Sequence, residues 1–225
     1  MQLSARLQAA ADFIEKCETL ADIGTDHAYL PIAAVQAGLC KKAIACDIRP
    51  GPLEIAVKNI NNAKLAKKIE TRLGDGLLPL EPGEAESIVI SGMGGMRIWG
   101  ILQEGMLQAR QAGRLILQPQ HDVPLLRKNL HLAGFKIFDE RLIYEEVAGR
   151  GHFYVLLAAS YVGEVPCWSE QEYFLGKHIM TKGGEILHAF KEHETSKILK
   201  YIDKIADEDA KKAAIQQIEW LKPIT

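Results

Sequence analysis

The sequence predicts an α/β fold: a parallel sheet wound between helices, closed by an antiparallel hairpin and followed by a small helical domain. Three observations carry that expectation. Five short apolar runs recur with room for a helix between them, two extended runs then follow with room only for a turn, and the remainder of the chain has helical periodicity. At 225 residues and 48% hydrophobic content, the chain can bury a substantial core.

The opening MQLSARLQAAADFIEKC reads as an amphipathic helix, because Arg6, Asp12 and Glu15 interrupt the apolar core that a signal peptide needs. The strands are LADIG (20–24), AIACD (43–47), IETRL (69–73), SIVISG (87–92) and RLILQ (114–118). Helices are predicted over 29–37, 51–66, 95–111 and 122–133, the last with Asp122 as N-cap and Pro124 in its first turn. Each connection is then a right-handed crossover.

After Gly134, FKIFDERLIYEE and HFYVLLAASYV are separated only by the turn-like VAGRG, which predicts a hairpin. Five parallel strands closed by such a hairpin are the class I, Rossmann-like methyltransferase arrangement, whereas the dinucleotide-binding fold ends in a sixth parallel strand. The chain leaves the sheet near Val165-Pro166. Ser169 to Glu172 has capping-box spacing, Gly183-Gly184 breaks the helical run, and an acidic DEDA turn separates two apolar stripes. The stripes are Ile198, Ile202 and Ile205, then Ile215, Ile218 and Leu221, so the tail is expected to form an antiparallel, coiled-coil-like helix hairpin. The expected division is a cofactor domain over 1–163 and a helical domain over 164–225.

Cys17, Cys40, Cys46 and Cys167 are scattered, with no C-x-x-C pair and no histidine at metal-ligand spacing, so neither a disulfide framework nor a zinc site is indicated, and a reducing cytoplasm fits best. No run approaches the roughly 18 to 20 apolar residues that cross a bilayer, so no membrane is expected. A formal net charge of −2 gives no global attraction to polyanions, so any nucleic-acid partner has to be held by local patches.

The candidate chemistry sits at the strand ends. The first strand ends in Asp22-Ile23-Gly24, and the second in Asp47, about 25 residues on, where a carboxylate can accept both hydroxyls of a ribose. The third leads to Gly74-Asp75-Gly76, placed to let backbone approach an adenine ring while Asp75 accepts its amino protons. Asp26 and His27 stand where a glycine-rich phosphate loop would continue, and Asp26 would repel a pyrophosphate. It would attract the cationic amino and sulfonium groups of S-adenosylmethionine, which carries no phosphate. The alternative for Asp26 is a helix cap.

The fourth strand ends in Ser91-Gly92-Met93-Gly94-Gly95, with glycines where enzymes methylating the adenine amino group have prolines and an aromatic. Methyl transfer to the ring nitrogen N1 uses an existing lone pair, so alignment and an acceptor for the cationic product matter more than a strong base. Asp26, His27 and Ser91 are the catalytic candidates. Tyr29, Gln118 and Arg150 are the substrate-binding candidates, with Arg150 in the hairpin turn able to meet an RNA phosphate. His121 is expected to face the same crevice, and the tail lysines can grip an RNA backbone.

The peptides ADIGTDHAYLP (21–31), Asp47 with Gly51-Pro52-Leu53, GDGL (74–77), SGMGG (91–95) and LQP (117–119), followed by a helical tail, closely resemble the bacterial tRNA adenine-N1 methyltransferases that modify position 22. That resemblance implies S-adenosylmethionine as cofactor and tRNA as partner. It also implies that Asp22, Gly24, Asp26, His27, Asp47 with Ile48, Asp75 with Gly76, and Ser91, Gly92, Met93 and Gly94 line the cofactor and target pocket. No metal is implied, and the oligomeric state is left open, a monomer being one option. The competing readings are a nicotinamide-dependent oxidoreductase, a methyltransferase for another RNA or a small molecule, and a non-catalytic protein that keeps a cofactor pocket.

Overall fold

The computed structural model describes residues 3–147 and 149–222. The chain begins with helix α1 (Ala5–Asp12), which Ser4 caps through its side chain. Strands and helices then alternate through β1 (Cys17–Ile23), α2 (Tyr29–Gln36), β2 (Cys40–Asp47), α3 (Pro50–Asn62) and β3 (Ile69–Leu73). Next come β4 (Ser87–Met93), α4 (Gly95–Glu104), α5 (Met106–Gln111), β5 (Arg114–Pro119) and α6 (Val123–Leu132). The hairpin β6 (Phe135–Val147) and β7 (Arg150–Tyr161) closes the sheet.

The sheet order is β3-β2-β1-β4-β5-β7-β6; β1 to β5 run parallel, and β7 pairs antiparallel with both β5 and β6. The Rossmann-like methyltransferase reading of the sequence therefore holds, including the antiparallel closing strand. Both faces of the parallel strands are covered, which is why those runs are almost continuously apolar. Along β4, Ile88 and Ile90 pack under α4 and α6 on one face while Val89 packs under α2 on the other. The crossovers place every β-to-α loop at the same sheet edge, the carboxyl ends of β1 to β5.

Several element expectations need correction. The helix expected over 95–111 is two helices, because a Cβ at Gly105 would lie 2.3 Å from Leu77 and the chain bends there. The helix expected over 51–66 stops at Asn62. Asp122 stands at the N-cap of α6 but with φ +56 and no capping bond, since its carboxylate takes His121 Nδ1 at 2.8 Å. The hairpin strands reach further into the turn than expected, and Ala148 of that turn lies outside the described residues.

The tail contains α7 (Glu170–Leu175), α8 (Lys177–Lys182), α9 (Glu185–Leu199), a short 3-10 turn (Ile202–Lys204) and α10 (Glu208–Leu221). Ser169 and Glu172 form the expected capping box, and Gly183 and Gly184 break the chain at φ +60 and +90. The acidic segment is not a turn: Asp207 caps α10, and Glu208 and Asp209 lie in its first turn, where the helix dipole favours acids. Ile198 and Leu221 are buried in the helix hairpin as read, but Ile215 is exposed and Ala214 occupies the seam instead.

The first tail helices are tied to the sheet by a buried ion pair. Arg127 of α6 donates to Glu140 of β6 at 2.7 Å and to the Tyr173 and Phe174 carbonyls of α7 at 2.8 and 3.0 Å. Glu140 also accepts the His178 N–H of α8 at 3.0 Å. Beside them His131 is buried against Tyr173 and Trp168, and burial pushes its imidazole down to about 4.

Candidate active site

A cavity of about 510 Å³ opens at the carboxyl ends of β1, β2, β3 and β4, within the usual range for ligand pockets. The first loop builds its floor. Backbone N–H groups of Gly24 and Thr25 both donate to the Cys46 carbonyl at 2.9 Å, which pins the loop across β2. Gly24, Asp26 and Ala28 all have left-handed φ, of 72, 53 and 59 degrees. A Cβ at Gly24 would lie 2.3 Å from the Met93 methyl, so this glycine lets the β1 and β4 loops touch.

Asp22 is buried at the end of β1, where Thr25 Oγ1 donates to it at 2.7 Å. Burial raises its carboxyl to about 6; the Thr25 bond works against that shift, and the Asp47 charge adds to it. Asp47, 4% exposed, accepts the Arg49 N–H at 2.9 Å and the Asp26 N–H at 3.3 Å. Its carboxylate is thus locked in place while still lining the cavity.

Asp26 does not cap α2. The helix begins at Tyr29 behind Ala28 without a side-chain cap, and the Asp26 backbone is spent on Asp47. The Asp26 carboxylate is free to face the cavity mouth, 3.4 Å from His27 Nε2. His27 is held through its carbonyl by Asn59 at 2.9 Å, and its ring lies 5.4 Å from that of Tyr29. His27 Nδ1 is buried without a protein partner among the described residues.

Ser91, Gly92 and Met93 line the opposite side. Gln118 Oε1 accepts both Ser91 Oγ at 3.2 Å and Gly92 N–H at 3.0 Å, so it holds the β4 bend from behind. Gly95 has to be glycine because a Cβ would lie 2.7 Å from the Asp122 carbonyl oxygen. The SGMGG turn is therefore both a tight connection and a cavity wall.

The structure brings together Asp22, Gly24, Asp26, His27 and Tyr29 with Asp47, Ile48, Asp75, Gly76, Ser91, Gly92 and Met93 around one cavity. Four candidates stand elsewhere. Gln118 is fully buried behind the wall, so it supports Ser91 and cannot meet a substrate directly. Gly94 does not line the cavity, because it packs against the His121 ring. His121 itself turns outward to Asp122. Arg150 sits at the exposed hairpin tip, several residues past the end of β5 and outside the cavity.

Arg6 of α1, Arg49, Arg97 and Gln120 also line the cavity, and sequence reasoning missed them. Arg97 donates to Asp75 at 2.9 Å, so the adenine-facing role read for Asp75 is shared with an arginine. Only the position of Arg97, two residues after SGMGG, hinted at it. Among the described residues no group of three or more His, Cys, Asp or Glu side chains is arranged to hold a metal. No helix there is long and apolar enough to cross a membrane.

Residues 3–157 match the family described as a methyltransferase domain. The tRNA (adenine(22)-N(1))-methyltransferase of Bacillus subtilis is 38% identical over 159 residues, covering 71% of this chain and 65% of that protein, so the match spans less than two thirds of that relative. The crystal structure of a tRNA (m1A22) methyltransferase homologue from Streptococcus pneumoniae, in complex with S-adenosyl-L-methionine, superposes with a TM-score of 0.87 at 32% identity over 98% of each chain. That of the B. subtilis m1A22 tRNA methyltransferase gives 0.80 at 31% identity, covering 98% of this chain and 97% of the other. With strand order, cavity and motifs in agreement, the chain belongs to the methyltransferase-domain family, in its group of bacterial tRNA (adenine-N1)-methyltransferases.

Proposed function

We propose that this protein is an S-adenosylmethionine-dependent methyltransferase acting on N1 of adenosine 22 in tRNA. One observation carries the reading most directly: the cavity is lined by carboxylates preset by Thr25 and by backbone N–H groups, at the place where a phosphate-binding loop would need bare N–H groups. The residues suit S-adenosylmethionine, which is cationic at its amino and sulfonium groups and has no phosphate. They do not suit a nicotinamide dinucleotide, whose pyrophosphate would meet Asp26; the antiparallel β7 also departs from that fold.

When bound, S-adenosylmethionine supplies an electrophilic methyl group. The locked carboxylate of Asp47 accepts ribose hydroxyls, and Asp75 with Gly76 borders the adenine. Asp22 favours the cationic parts, and Asp26, beside His27 on the cavity lining, steadies the charge that the target base acquires. Gln118 Oε1 is an acceptor only, so the Ser91 proton points at it and the Ser91 oxygen faces the cavity as an acceptor. Ser91 therefore cannot donate to adenine N1 and cap the lone pair that must attack, yet it can steady the positive charge that N1 acquires. Tyr29 and His27 offer a ring pair against which the target base can stack.

We place the domain division at residues 163 and 164, between β7 and α7, with the helical domain contributing to tRNA binding in a cytoplasmic enzyme. The hairpin tip with Arg150 and the tail lysines are the elements offered to the RNA backbone, and Arg150→Ala is read as a weakened tRNA contact. The function is tested by incubating unmodified tRNA with the protein and labelled S-adenosylmethionine, then separating N1- from N6-methyladenosine by nucleoside mass spectrometry. N1-methyladenosine at position 22 is expected. N6-methyladenosine would refute the reading of the SGMGG wall but leave the cofactor reading intact.

Two further outcomes follow from the carboxylates. Asp26→Asn keeps the left-handed backbone that Asn tolerates, and it is expected to lower single-turnover methylation about tenfold or more with little change in cofactor affinity, on the scale of one charge-assisted contact. Equal losses in both would remove Asp26 from the reaction. Asp22 binds its proton more tightly folded than unfolded, so it contributes no penalty below about pH 4 and a rising one up to its folded value of about 6. Asp22→Asn is then expected to be more stable than wild type at pH 7, by about 3 kcal/mol at most, with the difference vanishing near pH 4. Urea unfolding across pH checks this, and a difference that grows on acidification would refute it.

A further inference from the structure

A target adenine has to be gripped without touching the nitrogen that reacts. N1 must keep its lone pair for the methyl group, so recognition falls to the neighbouring edge, where the N6 amino group donates and N7 accepts. The terminal amide of a Gln or Asn matches that pair, because it offers an acceptor and a donor side by side. Among the described residues that line the cavity, Gln120 is the one that carries such an amide. It follows directly after β5 on the side of Ser91 and Gly92, where a Cβ at Gly92 would lie 3.9 Å from Gln120 Nε2. Its side chain is exposed and makes no hydrogen bond among the described residues, so both functions of the amide are available.

The backbone beneath that amide is fixed. The Gln120 N–H donates to the Met93 carbonyl at 2.8 Å, and the Gly95 N–H donates to the His121 carbonyl at 2.8 Å, so the loop after β5 is stitched to the SGMGG wall at two successive residues. Gln118 is used up inside the same wall, which leaves Gln120 as the amide that reaches ligand space. Resting on the adenine-N1 reading above, we infer that Gln120 selects the target base, its Oε1 accepting an N6 amino proton and its Nε2 donating to N7. The same amide is mismatched to guanine, whose corresponding edge holds two acceptors. Gln120 is thus a specificity-determining residue that leaves N1 clear for attack.

The test is a single-turnover cycle with the full chain and two tRNAs, one with adenosine at position 22 and one with 7-deazaadenosine there, which keeps N1 and N6 but replaces N7 with a C–H group. Wild type, Gln120→Leu and Gln120→Glu are compared. The two bases differ in N1 basicity, but that difference is common to all three enzymes and cancels in the ratio of rates. Gln120→Leu is expected to slow adenosine about tenfold or more and 7-deazaadenosine less, because it loses two bonds on the first base and one on the second, at about two- to tenfold each. Gln120→Glu separates the two contacts. Its carboxylate still accepts from N6 but faces the N7 lone pair, so adenosine is slowed about tenfold while 7-deazaadenosine stays within about twofold of wild type. S-adenosylmethionine affinity, measured by calorimetry, is expected to be unchanged in both variants. Equal slowing of the two bases, no slowing, or a loss of cofactor affinity that accounts for the slowing would overturn the assignment. Wild type that methylates neither tRNA at N1 would overturn the functional reading itself, a separate result. Should Gln120→Leu fail to fold, the Gln120→Glu ratio decides alone.

Discussion

Asp47→Ala is expected to lower the affinity for S-adenosylmethionine by about a hundredfold or more, the largest functional effect of any single substitution in this cavity. One lost charge-assisted hydrogen bond is worth roughly 1.5 to 3 kcal/mol, or about ten- to a hundredfold, and a ribose presents two hydroxyls. The substitution also frees the N–H groups of Asp26 and Arg49 that the carboxylate now holds, so the β1 and β2 loops lose their shared anchor. A second readout separates this role from general damage. The Asp47 charge helps to raise the Asp22 carboxyl, so in Asp47→Ala the Asp22 midpoint moves down toward the ordinary carboxylate range. Calorimetry measures the affinity and NMR titration the midpoint; a loss under threefold with an unmoved Asp22 would end the proposed role.

The largest stability effect is expected at Arg127. Arg127→Ala should destabilise the fold by about 3 to 5 kcal/mol, because it strands the Glu140 carboxylate in a site without solvent. For a chain of this size that corresponds to a Tm lower by roughly 10 °C. Burial disfavours the Arg127 cation while Glu140 supports it, so the pair's net value is far smaller than the cost of breaking it. The paired change Arg127→Met with Glu140→Leu is therefore expected to recover most of the loss. Thermal unfolding of the two variants beside wild type decides this, and Arg127→Ala as stable as wild type would show that the pair carries no such burden. Gly176 adds a check, since its Cβ would fall 2.5 Å from the Arg127 guanidinium. At φ +93 that position also disfavours any side chain, so Gly176→Ala should loosen the same junction.

Much of the cavity was legible because its residues follow strand ends in chain order. A carboxylate after β1, another after β2 and a third between glycines after β3 share one sheet edge once the strands are parallel, whatever the packing details. Gln118 was misread for the opposite reason. It too follows a strand, but whether a side chain at a strand end turns to the ligand or inward depends on its neighbour, here the bend at Ser91 and Gly92 that needs an acceptor. The helix expected through 95–111 failed similarly, since its break at Gly105 answers to Leu77 packing against it from another loop.

The sequence by itself determined the alternation of buried strands and helices, the antiparallel close of the sheet, and the order of carboxylates along its edge. These are properties of residues near one another in the chain: periodicity, turn chemistry and spacing. Only the tertiary structure decided which polar groups are paired and which are left to a ligand. Arg6 meets Tyr154 across most of the chain's length, Arg127 finds Glu140 and the α7 carbonyls, and Asp26 gives its N–H to Asp47 instead of capping a helix. Pairing of this kind depends on burial and on contacts between residues distant in sequence, so it becomes visible only when the chain has packed.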